Sequence, residues 1–533
     1  MKQRTVGALI EGKAETWGDK PFLIYKGQEF SYNKINEVSS RVANAMLDFG
    51  IKKGDHVAIM LPNRPEYICA WFGINKVGGV LVGISPRARG TILSHEIGLC
   101  DAEVIFLAQS LVPIVGEMEL SGFRKIIIVP DKQGEESLQP EAKGPYIYWL
   151  DLLSYPSSSL EVDVQYYDPY GIVWTSGTTG LPKAALLPHN YAIDYCENMI
   201  NHLRFTGNDV ILNFYPLNGV AGQLEHVLPA LMADAKLVLE ESWFPEKFWD
   251  LVRNHKITYS FMYERVLPTL LRQPRKPNEH DNSLRVVIYG PYDPILAKEF
   301  AERFGVIVST GGGMTEVGMT PMRPLDSPAD KLEKPGVMGP ANCGKEMRIV
   351  DDYDNELPPN QIGEIVYRPT KPFTTFLGYY KNPQAVLEMC RNLWIHSEDL
   401  GYKDEDGWFY FVGRKGDRLR SKGQMFSANM VEEIIDKYPK VAECAAVGVK
   451  NEFGEEDVMA FVVPAVSSES SPLTCEELID FCEKEMTYYM VPRYIELMES
   501  LPKTENQKIK KRELKERGVT DKTWDRKGYI KRQ

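Results

Sequence analysis

The sequence predicts an α/β fold. A large N-terminal domain of βαβ-type subdomains leads into a small β-rich portion, followed by a mobile small C-terminal α/β domain. Three observations predict it. Short apolar runs alternate with helix-like stretches from Ser31 to about Ile128 and again from Asp168, the pattern of a largely parallel sheet. After Gly336 the strand-like runs draw closer together. Then Gly413–Gly423, GRKGDRLRSKG, turns basic and glycine-rich, which puts a domain boundary near Gly416 and divides the chain into residues 1–415 and 416–533. A chain of 533 residues, 43% of them hydrophobic, is also too long for one ordinary core.

Each element has a local reason. Ser31 is an N-cap for the periodic run Ile35, Val38, Val42 and Met46, and Gly50 is a stop. A strand over His56–Leu61, a helix over Pro65–Val77, a strand over Val80–Ile84, a helix around Ile92–Leu99 and a strand over Val104–Leu107 follow. Residues 134–159, rich in Pro, Gly, Ser and Glu, read as surface connection. Further strands are predicted at Ile172–Thr175, Val210–Phe214, Leu237–Leu239, Ile257–Phe261, Val286–Tyr289 and Val306–Ser309. The β-rich portion has strands at Met347–Asp351, Glu364–Arg368 and Trp408–Phe411. In the C-terminal domain, Val431–Ile435 and Glu476–Met486 read as helices, and Cys444–Val449 and Val458–Val463 as strands.

Composition excludes several function classes. The net charge of −12 argues against a basic nucleic-acid surface. Eight cysteines without a C-x-x-C pair and eight histidines without an H-x-x-x-H pattern argue against a zinc site. The N-terminal stretch lacks an apolar signal core, and no run of 18 apolar residues occurs, so the expectation is a soluble, cytoplasmic protein. Its oligomeric state, monomer or homodimer, is left open.

The string Thr175-Ser176-Gly177-Thr178-Thr179-Gly180-Leu181-Pro182-Lys183 follows a predicted strand. Its glycines let backbone N–H groups approach an anion, its hydroxyls add donors and Lys183 adds a positive charge. It is not the Walker pattern, because only two residues separate Gly177 from Gly180 and Leu-Pro precedes the lysine. A stretch of this composition alone is an ordinary surface loop, but the order Ser-Gly-Thr-Thr-Gly-x-Pro-Lys is far more specific.

With that order the chain resembles the adenylate-forming superfamily of acyl-CoA synthetases, peptide-synthetase adenylation domains and luciferases, from about Thr5 to Leu514. Around Phe248-Trp249, Leu270–Pro274 and Phe304-Gly305-Val306 it resembles the crotonobetaine/carnitine–CoA ligase branch. The resemblance implies an AMP-forming acyl-CoA ligase using ATP, Mg²⁺ and coenzyme A on a small carboxylic acid. Two alternatives stand beside it: an adenylating enzyme that loads a carrier-protein thiol, and a weakened nucleotide- or acyl-binding homologue.

The resemblance also implies residue roles. Thr315 meets the α-phosphate and Glu316 holds Mg²⁺, while Gly290, Gly312 and Gly313 belong to the nucleotide site; Gly312 replaces the family's aromatic residue. Asp399 takes the ribose hydroxyls, with Glu398 in place of the family glycine, and Arg414 contacts ribose or phosphate. Gly416 is the hinge, and Lys422-Gly423-Gln424 lines the thioester-forming channel. Lys508 matches the catalytic lysine, preceded by Gln507 instead of glycine. The acyl pocket falls to Asn218 and Gly219, where the family has histidine at 219, and to Tyr263, Glu264, Gly311 and Val317. Glu264 or Tyr263 is expected to meet a polar or cationic acid.

Overall fold

The computed structural model describes residues 4–131, 145–175, 181–263, 266–290, 292–421, 424–450, 456–465, 472–486, 488–503 and 509–528. The chain packs as two compact units, one of residues 1–347, 366–395 and 404–410, the other of 348–365, 396–403 and 411–533.

Two large sheets carry the first unit. The seven-stranded sheet runs Ile307–Ser309, Val286–Gly290, Tyr259–Tyr263, Val210–Asn213, Lys236–Leu239, Pro21–Tyr25 and Gln28–Ser31. Every neighbouring pair is parallel except the last hairpin. Apart from the polar, partly exposed edge strand Gln28–Ser31, the strands are largely apolar and buried, as a sheet covered on both faces requires. The eight-stranded sheet runs Gly378–Tyr379, Lys183–Pro188, Pro169–Thr175, Val80–Gly83, His56–Met60, Val104–Ala108, Lys125–Val129 and Tyr146–Tyr148. Its first two pairings are antiparallel and the rest are parallel.

Helix Tyr32–Asp48 begins where its cap predicts, since Ser31 Oγ accepts from Lys34 N, and Gly50 follows it with φ of 79°. Residues 134–159 are more than the surface connection their composition predicts. Within residues 134–159 the chain forms strand Tyr146–Tyr148 and helical turn Trp149–Leu152, with Trp149 and Leu152 buried. The flanking Pro, Gly and Ser content masked these two core side chains.

The second unit contains a four-stranded sheet ordered Val441–Lys450, Glu456–Pro464, Tyr494–Leu497 and Trp524–Asp525. Alternation sorts its side chains. Cys444, Ala446, Val458, Ala460 and Val462 pack with helices Ala428–Ile435 and Cys475–Glu485, whereas Ala445, Val447, Met459 and Phe461 pack with Leu514 of helix Lys511–Arg517. Among the described residues, no helix is long and apolar enough to cross a membrane.

Candidate functional site

Thr175 ends one strand and Lys183 begins the next, directly opposite each other in antiparallel register. The phosphate string is therefore carried at a hairpin; Ser176, Gly177, Thr178, Thr179 and Gly180 lie outside the described residues. Thr315 and Glu316 occupy a second hairpin turn, between Gly311–Met314 and Gly318–Met322, closed by Val317 N donating to Met314 O at 3.1 Å. Strand Gly378–Tyr379 joins the two, pairing with Ala185 and Leu186 while Phe376 N donates to Glu316 O at 3.0 Å.

That strand delivers Tyr379, which the motifs did not indicate. Its hydroxyl donates to Glu316 Oε1 at 2.5 Å, a contact across 63 residues of sequence. The Thr175 side chain also lies near this hydroxyl, and Lys183 Nζ stands 5.1 Å from the ring centroid. Burial and the Glu316 carboxylate push the phenol well above its ordinary range, so it stays protonated and donating. The structure thus gathers Thr175, Lys183 and Glu316 around one tyrosine.

The glycines beside Glu316 have specific neighbours. A Cβ on Gly312 would lie 2.5 Å from Thr320 Oγ1 and 2.6 Å from Met338 Cε, so those two side chains fill the space of the family's aromatic residue. A Cβ on Gly313 would lie 3.5 Å from Tyr195 Oη, and one on Gly290 would meet only Gly311 O and Thr310 Oγ1, both at 3.9 Å. Tyr263 and Gly290 pair at the C-terminal ends of adjacent parallel strands, the edge where open α/β sheets bind ligands. Val317 is fully buried. Glu264 lies outside the described residues, as does the side chain of Tyr263.

The segment Pro216-Leu217-Asn218-Gly219 is clamped from two sides. Asn63, buried, donates to Tyr215 O at 2.9 Å and Glu240 O at 3.0 Å, and accepts from Leu217 N at 3.0 Å. Gln223 Nε2 donates to Leu217 O at 2.7 Å. Asn218 sits on Gly83, where a Cβ would come 2.9 Å from Asn218 Cα. Beside Gly219 a Cβ would meet only Pro216 O, at 3.9 Å, so there is open space.

In the second unit, Asp399 Oδ1 pairs with Arg414 Nε at 2.7 Å. Asp399 N donates to Ser397 Oγ, whose own hydrogen goes to Ile365 O at 2.6 Å. Glu398 has φ of 60°, in the left-handed region that favours glycine. Its N–H donates to Glu364, whose carboxyl is held down at about 2 against its burial by hydrogen bonds from His396 and Glu398 and by Lys415. Gly416 is exposed in the turn Lys415–Asp417, with nothing within 4 Å of a Cβ. Gln424 opens a strand opposite Ser421; its side chain, with Lys422 and Gly423, lies outside the described residues. So does Lys508, although Lys503 and Ile509 on either side of its segment pair with each other.

A family model described as AMP-binding enzyme matches residues 10–380, and one described as AMP-binding enzyme C-terminal domain matches residues 430–508. The chain belongs to the AMP-binding enzyme family. Relatives of this AMP-binding enzyme include the crotonobetaine/carnitine–CoA ligase of Salmonella paratyphi B, 31% identical over 528 residues, covering 94% of this chain and 97% of the relative. The Salmonella typhimurium protein of the same name is 31% identical over 527 residues, with the same coverage. In fold, this AMP-binding enzyme is similar to ATP-bound MatB from Rhodopseudomonas palustris (TM-score 0.84, 22% identity, 96% of this chain and 98% of that one). It is also similar to the Bacillus subtilis O-succinylbenzoate coenzyme A synthetase with ATP and magnesium (TM-score 0.81, 22% identity, 95% and 99%). It is an AMP-forming acid–CoA ligase, and ATP, Mg²⁺ and coenzyme A are the family's reactants and cofactor.

Proposed function

We propose that this AMP-binding enzyme activates a small polar carboxylic acid as its acyl-adenylate and passes the acyl group to coenzyme A in the cytoplasm. The observation that carries the reading is the junction at Tyr379, where Thr175, Lys183 and Glu316 converge. The donor set fits a magnesium nucleotide: hydroxyls and a lysine for phosphate oxygens, and a buried carboxylate for a hard cation. Glu316 would hold Mg²⁺, which would supply neutralisation of the phosphate charge. Thr175 to Lys183 and Thr315 grip the phosphates, Gly290, Gly312 and Gly313 line the nucleotide, and Asp399, oriented by Arg414, takes the ribose hydroxyls. The substrate carboxylate attacks the α-phosphorus and pyrophosphate leaves. A thiol then attacks the acyl carbon, AMP leaves, and the thiol proton goes to solvent.

Lys508 neutralises the first transition state. Its register is supported by the other basic residues of its stretch. Lys503, Lys510, Lys511, Arg512, Lys515 and Arg517 are each paired with a carboxylate, on Glu443, Glu513, Glu432, Glu516, Glu456 and Glu496 respectively. Rotation at Gly416 of a domain spanning 416–533 exchanges Lys508 for the Lys422-Gly423-Gln424 loop between the half-reactions. Asn218, Gly219, Tyr263, Glu264 and Val317 shape the acyl pocket. The acid is of the betaine type, as the names of the Salmonella relatives suggest.

The test is Lys508→Ala. Adenylation, read as acid-dependent pyrophosphate exchange, is abolished, while thioester formation from supplied acyl-AMP is retained. Adenylation that survives contradicts the assignment, and pyrophosphate release without any CoA thioester points to a carrier-protein thiol.

A further inference from the structure

Glu225 stands in the turn Gln223–Val227, which is wound as a π-helix directly after Gly219 and the short helix Val220–Gly222. Such turns are rare and concentrate at functional sites. Tyr195 Oη donates to Glu225 Oε1 at 2.7 Å. Oε2 is buried and has no hydrogen-bond partner among the described residues. Among the described residues no cation offsets the carboxyl there, and burial raises it to about 7.

Aromatic rings surround this group. Tyr191 and Tyr195 lie 6.2 Å apart, His226 stacks on Tyr215 at 5.5 Å, and Tyr259 stands 6.0 Å from His226. The Tyr191 and Tyr259 hydroxyls and His226 Nε2 are likewise buried without partners among the described residues. Four orphaned polar atoms in one buried region are costly unless something completes them. Burial holds His226 down at about 4, so it is neutral, and its Nδ1 donates to Ala221 O, leaving Nε2 as an acceptor. The region borders the reaction centre: Tyr195 Oη is 3.5 Å from the Cβ position of Gly313, and Tyr191 feels the charges of both Glu316 and Glu225.

We propose that Glu225 is the specificity-determining carboxylate of the acyl pocket and receives a positively charged group, a quaternary ammonium or a protonated amine, on the acid being activated. This rests on the ligase reading above. A cation satisfies Oε2 and the faces of Tyr191, Tyr195 and Tyr259, which a neutral alkyl group cannot do for the carboxylate.

The test compares 4-(trimethylammonio)butanoate with its neutral carbon isostere 5,5-dimethylhexanoate, by pyrophosphate release and by calorimetric binding. Wild type favours the cationic acid. In Glu225→Gln, which keeps an oxygen for Tyr195, the cationic-to-neutral ratio of kcat/KM falls about 30-fold, and Glu225→Asp restores part of it. The folding control is a melt at pH 5, where the wild-type carboxyl is protonated and the Gln variant should match it. An unchanged ratio in the Gln variant, with pyrophosphate release intact, overturns this assignment and leaves the ligase reading standing. Glu225-dependent binding of the cationic acid with no pyrophosphate from either acid leaves this assignment standing and contradicts the ligase reading.

Discussion

Tyr379 is the residue on which the site turns, and removing its hydroxyl is a small, specific change. Tyr379→Phe leaves Glu316 without its donor, a loss of about 1.5–3 kcal/mol for a hydrogen bond to a charged group. Pyrophosphate exchange is expected to slow at least about tenfold, while thioester formation from supplied acyl-AMP changes less; equal exchange rates would remove Tyr379 from the site. At Gly312 the expectation concerns stability. Gly312→Ala drives a Cβ into Thr320 and Met338 and costs about 1–3 kcal/mol by urea unfolding, part of which Met338→Ala relieves. At this scale the sequence was half legible. The motifs named Thr175, Lys183 and Glu316, and the departure at 312 was visible, but nothing local links residue 316 to 379 or 312 to 338. Those contacts exist only because strand Gly378–Tyr379 joins one hairpin and Met338 packs behind the other.

Elements explain why some substitutions are tolerated. Glu398 keeps a left-handed backbone through a strand because its N–H is held by Glu364 and its side chain is exposed. Glu398→Gly should therefore stabilise the protein by about 1 kcal/mol in urea, and a loss of stability would mean that the Glu398 side chain matters more than its φ. Asn63 holds the acyl segment through three hydrogen bonds, so Asn63→Ala is expected to cost about 3 kcal/mol and to raise KM for the acid more than KM for ATP. Element types were largely legible, since buried parallel strands such as Val104–Ala108 are plain apolar runs. The strand Lys183–Pro188 was not, because a loop motif drew the eye to its first residue; Tyr146–Tyr148 was hidden by its flanks. The clamp at Asn63 had no signal, a lone asparagine after a strand being a common turn residue.

At the scale of the molecule, the first compact unit holds Glu225, and the burial of that carboxyl sets a pH dependence. Among the described residues, the groups facing Glu225 are Tyr195 as donor, with Tyr191, Cys196 and Tyr259 nearby and neutral His226 beside it, and none of these carries positive charge. Its carboxyl, at about 7 against an ordinary 4.5, stabilises the fold below about 4.5, and that contribution is lost as pH rises through 7. Glu225→Gln should thus melt with wild type near pH 5 and above it at pH 8.5, while wild-type kcat/KM for a cationic acid rises with pH through 7. Melting curves that stay parallel at both pH values would contradict the buried, unpaired carboxylate. The motifs made the family legible over nearly the whole chain; the surroundings of Glu225 were not, because they come from a π-turn and from tyrosines on a distant helix and strand. The account as a whole is tested most directly by mass spectrometry of wild-type enzyme given MgATP and a panel of cationic, aryl and aliphatic acids, with and without coenzyme A. It predicts AMP, pyrophosphate and an acyl-CoA in equal amounts with coenzyme A and bound acyl-AMP without it. ATP left intact with every acid would contradict it.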